Sequence, residues 1–322
     1  MNSNRLIKQT DAKQFDIFEF TIRIVAYSVF AVLFLFLGKL ILAGGEVINW
    51  EFLTSVPKNN MTEGGIGPAI FGTLSVVVLM ILMAVPVGIC SAIYINEYSE
   101  MKTFRYVFKY SVNNLAGVPP VVFGLFGMSF FVLFVGNNLD AIFETGLLFG
   151  QPVMLWASAT LAVLILPYIV IPVLDALEAI PASQREAALG LGASKWQMIK
   201  KVVLPQARPG IITGVILAVS RGIGETAPLL FLGCAFFMPN LPIAEVDVGL
   251  FSFSMINPLD QFMHLGYHIF GLATQSSHPE LTRPIQYGTV LVLLLLTLGL
   301  NIIAFYYRYK FRKVLAELRG NS

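Results

Sequence analysis

The fold of this chain is decided by the stretch EAALGLGASKWQMIKKVVLP, residues 186–205, a polar and basic island between two long apolar runs. Ser183 and Glu186 have the spacing of a helix capping box, and Ser194 and Gln197 repeat that spacing 11 residues further along the chain. The stretch is therefore expected to form two short helices.

Gly192 and Pro205 are expected to mark the two ends of the second of these helices. Gly192 is expected to end the first helix in a left-handed conformation, and Pro205 is expected to stop the second. Trp196, Ile199 and Val203 share one face of the second helix, while Lys195, Gln197 and Lys201 point elsewhere. Such an amphipathic helix suits docking into a groove of a partner protein, and it equally suits a connector lying on a lipid surface.

The composition indicates an integral membrane protein. Of 322 residues, 56% are hydrophobic and only 12% are charged, with a mean hydropathy of +0.75, which is more apolar surface than a soluble core could hide. A net charge of +2 gives no argument for nucleic acid as a partner. Cys90 and Cys234 lie in apolar stretches without metal-ligand spacing, so they are expected to serve packing.

Six membrane spans are expected from apolar runs of about 20 residues. They lie near 22–42, 67–95, 111–135, 153–174, 210–233 and 286–307. The polar N-terminus is too long and too acidic for a typical cleaved signal peptide, so the first run is expected to remain as a helix. Pro86 and Gly88 permit a kink in the second span, and the stretch 113–120 predicts a broken start of the third.

Basic residues cluster in alternate segments. The N-terminus, segment 96–110, the loop around residues 186–205 and the C-terminus together hold 17 of the 21 lysines and arginines. By the positive-inside rule, both termini and this loop are expected to be cytoplasmic. Segment 234–285, with an expected helix near 259–270, would then lie on the outer membrane surface.

The sequence contains few signs of an enzymatic function or of a metal site. There is no GxxxxGK[ST] loop to hold nucleotide phosphates, and no pattern typical of nucleophilic or paired-carboxylate catalysis. An intramembrane enzyme stays open, because spatial neighbours are not visible in one sequence. His264 and His268 have the spacing of a metal pair but no third ligand, so packing is expected, with no metal and no cofactor.

The fifth span carries a charged pair. Arg221 lies 11 residues beyond Gly210, about 16 Å into a core of about 30 Å, so it is expected near the bilayer midplane. A lone arginine there costs about 2.5 to 3.5 kcal/mol or more, which predicts a polar surrounding and a partner. Glu225, one turn on, is that partner, either in a functional pair or in an ion pair that only lets the helix insert.

The stretch 186–205 resembles the EAA loop of binding-protein-dependent ABC importer permeases. Its matching positions are Glu186, Ala187, Ala188, Gly192, Val202, Leu204 and Pro205, with valine at 202 where isoleucine is commoner. The resemblance implies an all-α integral membrane protein with six transmembrane helices, in the type I (MetI-like) permease fold. It also implies that the loop, with Trp196, inserts a coupling helix into a separate ATPase subunit.

A narrower resemblance connects the chain with the phosphate importer permeases. The segment SRGIGETAPLL, residues 220–230, looks like the PstA type more than its PstC partner, and AIFGTL at 69–74, AIYINEY at 92–98 and VPPVVFGLFG at 118–127 fit the same family. The resemblance covers roughly residues 64–308. In such families the arginine and glutamate of this span are implicated in the anion path, which carries over to Arg221 and Glu225.

The resemblance also implies location, partners and a division of the chain. The protein would lie in the bacterial cytoplasmic (inner) membrane with a PstC-like permease, two copies of an ABC ATPase and an extracytoplasmic phosphate-binding protein, carrying phosphate without being an enzyme itself. Residues 1–65 would hold the N-terminal segment, first span and outer loop, 66–310 the permease core and 311–322 a cytoplasmic tail. The alternatives are a PstC-type subunit, a permease for another oxyanion, a secondary transporter or channel, and a phosphate-signalling membrane protein.

Overall fold

A computed structural model describes residues 3–235, 237–238, 240–248 and 251–320. Most of these residues are helical. The α-helices within the described residues are α1 Ser3–Gly44, α2 Trp50–Thr54, α3 Gly67–Ile93, α4 Lys102–Leu115, α5 Pro120–Gly127, α6 Asn137–Phe143, α7 Met154–Glu178, α8 Ala182–Gly190, α9 Lys195–Met198, α10 Leu204–Gly224, α11 Leu265–Thr274 and α12 Pro279–Gly320. Turns of π-helix at Tyr94–Tyr98, Met128–Gly136 and Ile199–Val203 extend or join several of them.

Two short antiparallel hairpins accompany the helices. Strands β1 Pro57–Lys58 and β2 Glu63–Gly64 form the first, and β3 Ile243–Val248 and β4 Phe251–Ile256 form the second, with Ile243 opposite Ile256. Both lie in connections between the long helices. The predicted helical membrane fold is confirmed, with these hairpins as additions that the hydropathy pattern did not reveal.

Six helical segments among the described residues are long and apolar enough to cross a membrane. They are Phe18–Val47, Gly67–Tyr98, Pro120–Phe143, Met154–Glu178, Lys195–Gly224 and Pro279–Ile303. The predicted number of spans is confirmed. Pro86 lies inside the second span, and Gly88 packs against Ile169 of α7, so close helix packing explains that glycine.

The third span begins later than the expected residue 111. Helix α4 is a separate element that ends at Leu115, and α5 starts only at Pro120. Gly117 allows a turn between them, and Pro119 takes the extended conformation that precedes a helix, with φ −58° and ψ 137°. The predicted break within 113–120 is present, and it separates a partly exposed basic helix from the span itself.

The fifth span differs from expectation at both ends. Helix is continuous from Lys195 to Gly224, so Pro205 does not stop the second short helix. Pro205 instead lies in the first turn of α10, directly after the π-helical turn that accommodates its missing N–H. The helix ends at Gly224 rather than near residue 233. Gly222 and Gly224 at its end disfavour further helix, and so does Pro228 in the following turn, Ala227–Leu230.

Helix α7 forms the centre of the bundle. It is the most buried of the six spans, with 67% of its most apolar window inside the protein. Glycines let its neighbours approach: Gly210 of α10 has no room for a side chain against Ala176, and Gly214 meets the backbone of Ile169. By contrast, residues 18–36 of α1 are exposed, and the helix packs at its C-terminal end, where Gly44 touches the backbone of Tyr287 in α12.

The segment after the fifth span is not a surface loop throughout. Phe262, Met263 and Leu265 are buried, and the carbonyl groups of Pro258 and Asp260 accept the first backbone N–H groups of α7 at 2.7 and 3.0 Å. These contacts satisfy donors that a helix start leaves free. This part of the segment is therefore packed into the bundle rather than lying on a surface, and its position on the outer side of the membrane stays a prediction.

The expected helix near 259–270 is α11, which begins and ends later. His264 Nδ1 accepts the Gly266 backbone N–H at 3.1 Å and so caps the helix. His268 lies one turn further, with Nδ1 at 3.5 Å from the Thr289 hydroxyl. Both rings are buried, as the packing interpretation predicts, and no group of three or more metal-ligating side chains was found among the described residues.

Candidate functional site

The charged pair lies where α10 ends. Arg221 is in the last turn of the helix, and Glu225 is the residue after it, with an extended backbone at φ −79° and ψ 114°. Arg221 Nη2 and Glu225 Oε1 are 3.4 Å apart. The two side chains are thus paired, but across a helix end rather than along a regular helical turn.

The surroundings of this pair hold the guanidinium group without enclosing it. The Arg221 guanidinium carbon lies 4.6 Å from the ring centroid of Tyr168 in α7, a cation–π contact. A position in the last turn also favours a cation, because helix carbonyls there carry partial negative charge. The Arg221 side chain remains 40% exposed, against 15% for Glu225, so N–H donors are left for a ligand.

The two glycines beside the pair differ in their surroundings. Gly222 packs against Met80 of α3 and Ile165 of α7, whereas nothing lies within 4 Å of a side-chain position at Gly224. Gly222 therefore brings three helices together, and Gly224 leaves space next to Glu225. The depth of Arg221 in the bilayer stays a prediction.

The loop of residues 186–205 begins as two helices, as predicted. Gly192 has φ +84°, and the Ala193 N–H bonds back to the Ala188 carbonyl at 3.1 Å, which closes α8 in a Schellman-type end. Ser194 and Gln197 form the predicted capping box, at 3.0 and 3.3 Å. The other predicted box is absent: Pro181 precedes α8 and no side chain caps that start.

The proposed ATPase-contacting residues fall into two groups. Glu186, Ala187, Gly192 and Trp196 are exposed, with Trp196 at 57%. Ala188 and the pair Leu204 and Pro205 are partly buried, since Ala188 faces the core and the pair starts the long helix α10. The predicted apolar face is divided as well, because Ile199 and Val203 are fully buried while Trp196 is not.

Sequence reasoning missed two exposed leucines in this loop. Leu189 is 46% exposed and Leu191 is 90% exposed. Both lie within three residues before the hinge glycine, Gly192, and that position is the signal that could have identified them. With Trp196, the loop thus has three exposed large apolar side chains.

Sequence reasoning also missed the side chains that hold the loop. Arg185 of α8 forms an ion pair with Glu97 at 2.9 Å, and Lys195 Nζ lies 4.9 Å from the ring centroid of Tyr98. Arg185, Glu97 and Lys195 border a cleft of about 450 Å³ between the loop and the ends of α3 and α7. Glu97 is 88 residues from Arg185 in sequence, so spacing gave no signal of the contact.

A further ion pair connects α4, which is outside the spans, with the last turn of α7. Lys109 Nζ of α4 contacts Asp175 and Glu178 at the end of α7, at 3.2 and 3.0 Å. The hydrogen bond to Glu178 is the main cause that raises the pKa of Lys109. All three side chains are at least 36% exposed, so the contact fastens α4 to α7 only weakly.

Known proteins share both the sequence pattern and the fold. Residues 84–313 match the family described as binding-protein-dependent transport system inner membrane component. The chain is 29% identical to the probable ABC transporter permease protein YqgI of Bacillus subtilis over 85% of this chain and 88% of that protein. It is 32% identical to the phosphate transport system permease protein PstA of Xylella fastidiosa, over 67% of this chain and 72% of the relative.

A solved structure extends the likeness of the fold to nearly the whole chain. It is a bacterial ABC transporter involved in the import of the acidic polysaccharide alginate, and the match has a TM-score of 0.65 and covers 95% of this chain and 99% of that one. At 17% identity this match concerns the fold alone. With the family match over most of its length, the chain belongs to the binding-protein-dependent transport system inner membrane components, as a membrane permease subunit of an ABC importer.

Proposed function

We propose that this chain is the PstA-type permease subunit of an ATP-driven phosphate importer and forms half of its translocation path. The observation that carries the proposal is the partly exposed guanidinium of Arg221 at the broken end of α10, within the segment that resembles the phosphate importer permeases. The similarity to a protein named as a phosphate transport permease supports the choice of solute.

Arg221 would assist the anion by charge-assisted hydrogen bonds. A guanidinium presents several N–H donors in a plane, which suits the oxygens of a phosphate group. Glu225 forms an ion pair with this group, its Oε1 3.4 Å from Arg221 Nη2, and its negative charge would prevent the empty site from holding the anion too tightly. Gly224, with open space beside it, leaves room for the solute next to this pair.

A purely structural ion pair is the competing interpretation. Pairs four residues apart within a helix can lower the cost of inserting charges into the membrane. Here Glu225 lies beyond the helix end, and a Tyr168 ring already supports the arginine. The arrangement leaves Arg221 partly exposed, which favours a role in binding over mere compensation of charge.

The loop would dock the ATPase through Glu186, Ala187, Gly192 and Trp196, together with Leu189 and Leu191. Exposed apolar side chains on a capped, well-ordered turn suit a groove in a partner protein. They would also suit a lipid surface, and the EAA pattern is what favours the ATPase. Leu204 and Pro205 would contribute indirectly, by connecting the loop to the helix that ends at Arg221.

An ATP-driven importer of this type implies three further kinds of partner. A second, PstC-like permease would complete the path, two ATPase copies would hydrolyse ATP, and an extracytoplasmic binding protein would deliver phosphate. The distribution of basic residues supports cytoplasmic termini and a cytoplasmic loop in the inner membrane. The binding protein would set much of the selectivity, so a permease for another oxyanion is the second candidate, together with the PstC-type position in the same complex.

Reconstitution of the complex in liposomes tests the proposal. We expect radiolabelled phosphate uptake that requires ATP, the ATPase and the binding protein, and that unlabelled phosphate competes more strongly than sulfate or a phosphonate. Stronger competition by one of those anions would favour the other-oxyanion permease. Phosphate uptake by this chain alone, driven by a sodium or proton gradient, would instead identify a secondary transporter. A variant that keeps uptake but loses signalling of phosphate status would identify a signalling role.

A further inference from the structure

The side chain of Arg185 connects three helices. It belongs to α8, next to the proposed ATPase contact, and its Nη2 lies 2.9 Å from Glu97 Oε1 at the end of α3. The same nitrogen donates to the Leu177 carbonyl of α7 at 2.7 Å, and Nη1 donates to the Ile180 carbonyl just beyond that helix. Both terminal nitrogens of the guanidinium group thus donate hydrogen bonds to the membrane-spanning bundle.

Burial makes this contact stiff. The Glu97 side chain is 4% exposed and that of Arg185 is 19% exposed, and the Glu97 carboxylate also accepts the Asn96 side-chain amide at 2.6 Å. A buried, multiply bonded ion pair holds one geometry and is costly to break. The exposed contact of Lys109 with α7 lacks this property, although it reaches the same end of the helix.

A short path leads from this contact to the charged pair. Tyr168 lies nine residues before Leu177 on α7, about 14 Å along the helix. The Arg221 guanidinium carbon lies 4.6 Å from the centroid of the Tyr168 ring. A displacement of α8 that moves the end of α7 would therefore reach Arg221 along a single helix, which contains Pro172 between Tyr168 and Leu177.

We propose that Arg185 is a positioning residue that transmits movement of the ATPase-docking loop to α3 and α7, and through Tyr168 to Arg221. This inference rests on the proposed docking of the loop. It differs from a static role, in which Arg185 would only satisfy the carbonyl groups at the end of α7. A static brace affects how much complex forms, whereas a transmitting contact affects how much transport each ATP drives.

The test uses Arg185→Gln, Glu97→Gln and the double variant in the complete reconstituted complex. The readout is phosphate delivered per ATP hydrolysed, which does not depend on the amount of complex. We expect this ratio to fall about tenfold in each single variant, within the roughly 5- to 150-fold range typical of coupling between sites. The double variant should be no worse than the single ones, because both act through one contact.

Lys109→Gln is the matched control. It removes a cation that contacts the same end of α7 but belongs to α4 rather than to the loop, so its ratio should stay within about twofold of wild type. Should Arg185→Gln fail to assemble, Arg185→Lys keeps the charge and loses the planar fork. An intermediate ratio in that variant is expected.

A second readout does not depend on the solute: the factor by which the assembled permeases change the ATP hydrolysis rate relative to the ATPase alone. We expect Arg185→Gln to bring this factor towards one. An unchanged ratio and an unchanged factor, with less complex formed, would overturn the inference and leave Arg185 as a brace. Absence of phosphate uptake in the wild-type complex would contradict the proposed function instead, and the hydrolysis factor would still decide the role of Arg185.

Discussion

Replacing Gly192 by valine should uncouple the loop from the ATPase while leaving the membrane bundle intact. Gly192 has φ +84°, and nothing lies within 4 Å of the position that a side chain would occupy. The whole penalty therefore comes from the backbone, about 1 to 3 kcal/mol for a β-branched residue held in this region. A penalty of about 1 to 3 kcal/mol lowers the population of the native turn about 5- to 150-fold.

Two assays measure the expected uncoupling of the loop from the ATPase. Copurification of the ATPase with the membrane complex should fall, and so should hydrolysis stimulated by the solute-loaded binding protein. Gly190→Ala is the matched control, because Gly190 is in α8, also has open space beside it and lacks a positive φ. If Gly192→Val retains both copurification and stimulated hydrolysis, and deletion of α9 does too, the ATPase binds elsewhere and the reasoning is refuted.

Three further predictions concern the loop and the buried histidines. Leu191→Ser should weaken ATPase copurification without lowering the thermal stability of the isolated permease, whereas Leu147→Ser, at a similarly exposed leucine far along the chain, should change neither. Ser194→Ala removes the capping box and should cost about 1 kcal/mol in local helix stability, seen as faster amide exchange at α9. His264 and His268 lie outside the spans, and burial lowers the pKa of each to about 4. Because the unfolded chain binds protons from about pH 6.5 and the folded chain only near pH 4, stability should fall as pH drops through this window, by up to about 3 kcal/mol per histidine. His268→Leu should roughly halve that fall in thermal denaturation curves, and an unchanged pH dependence would contradict burial as its cause.

Periodicity and hydropathy were sufficient for the number of spans but not for their ends. The third span was expected from residue 111, because the apolar faces of α4 and α5 run together in a hydropathy window and only the turn before Pro120 separates them. The fifth was expected to reach residue 233, because apolar residues continue past Gly224. Glycine and proline ended the helix there against the hydropathy pattern.

Local motifs were predicted better than contacts between distant residues. The positive φ of Gly192 and the Ser194 capping box follow from neighbouring residues, so short-range rules suffice for them. Pairing of Arg185 with Glu97, and of Arg221 with the Tyr168 ring, depends on how separate helices pack. The spacing of residues along the chain does not indicate such contacts, which is why the ion pair of Arg185 with Glu97 was not predicted.

The central claim, that Arg221 lines the path of an oxyanion, is tested most directly by Arg221→Leu combined with Glu225→Leu. Removing Arg221 alone would strand a carboxylate that is only 15% exposed, at a cost of about 3 to 5 kcal/mol, whereas removing both charges is often neutral or stabilising. The double variant should therefore assemble with its partners and the ATPase at wild-type levels.

The decisive measurement is the initial rate of ATP-driven phosphate uptake by this double variant in the reconstituted complex. Loss of a charge-assisted hydrogen bond to the passing anion, about 1.5 to 3 kcal/mol, predicts a rate about 10- to 150-fold below wild type. A near-normal rate in a fully assembled complex would show that the pair only lets the helix insert, and it would contradict the account.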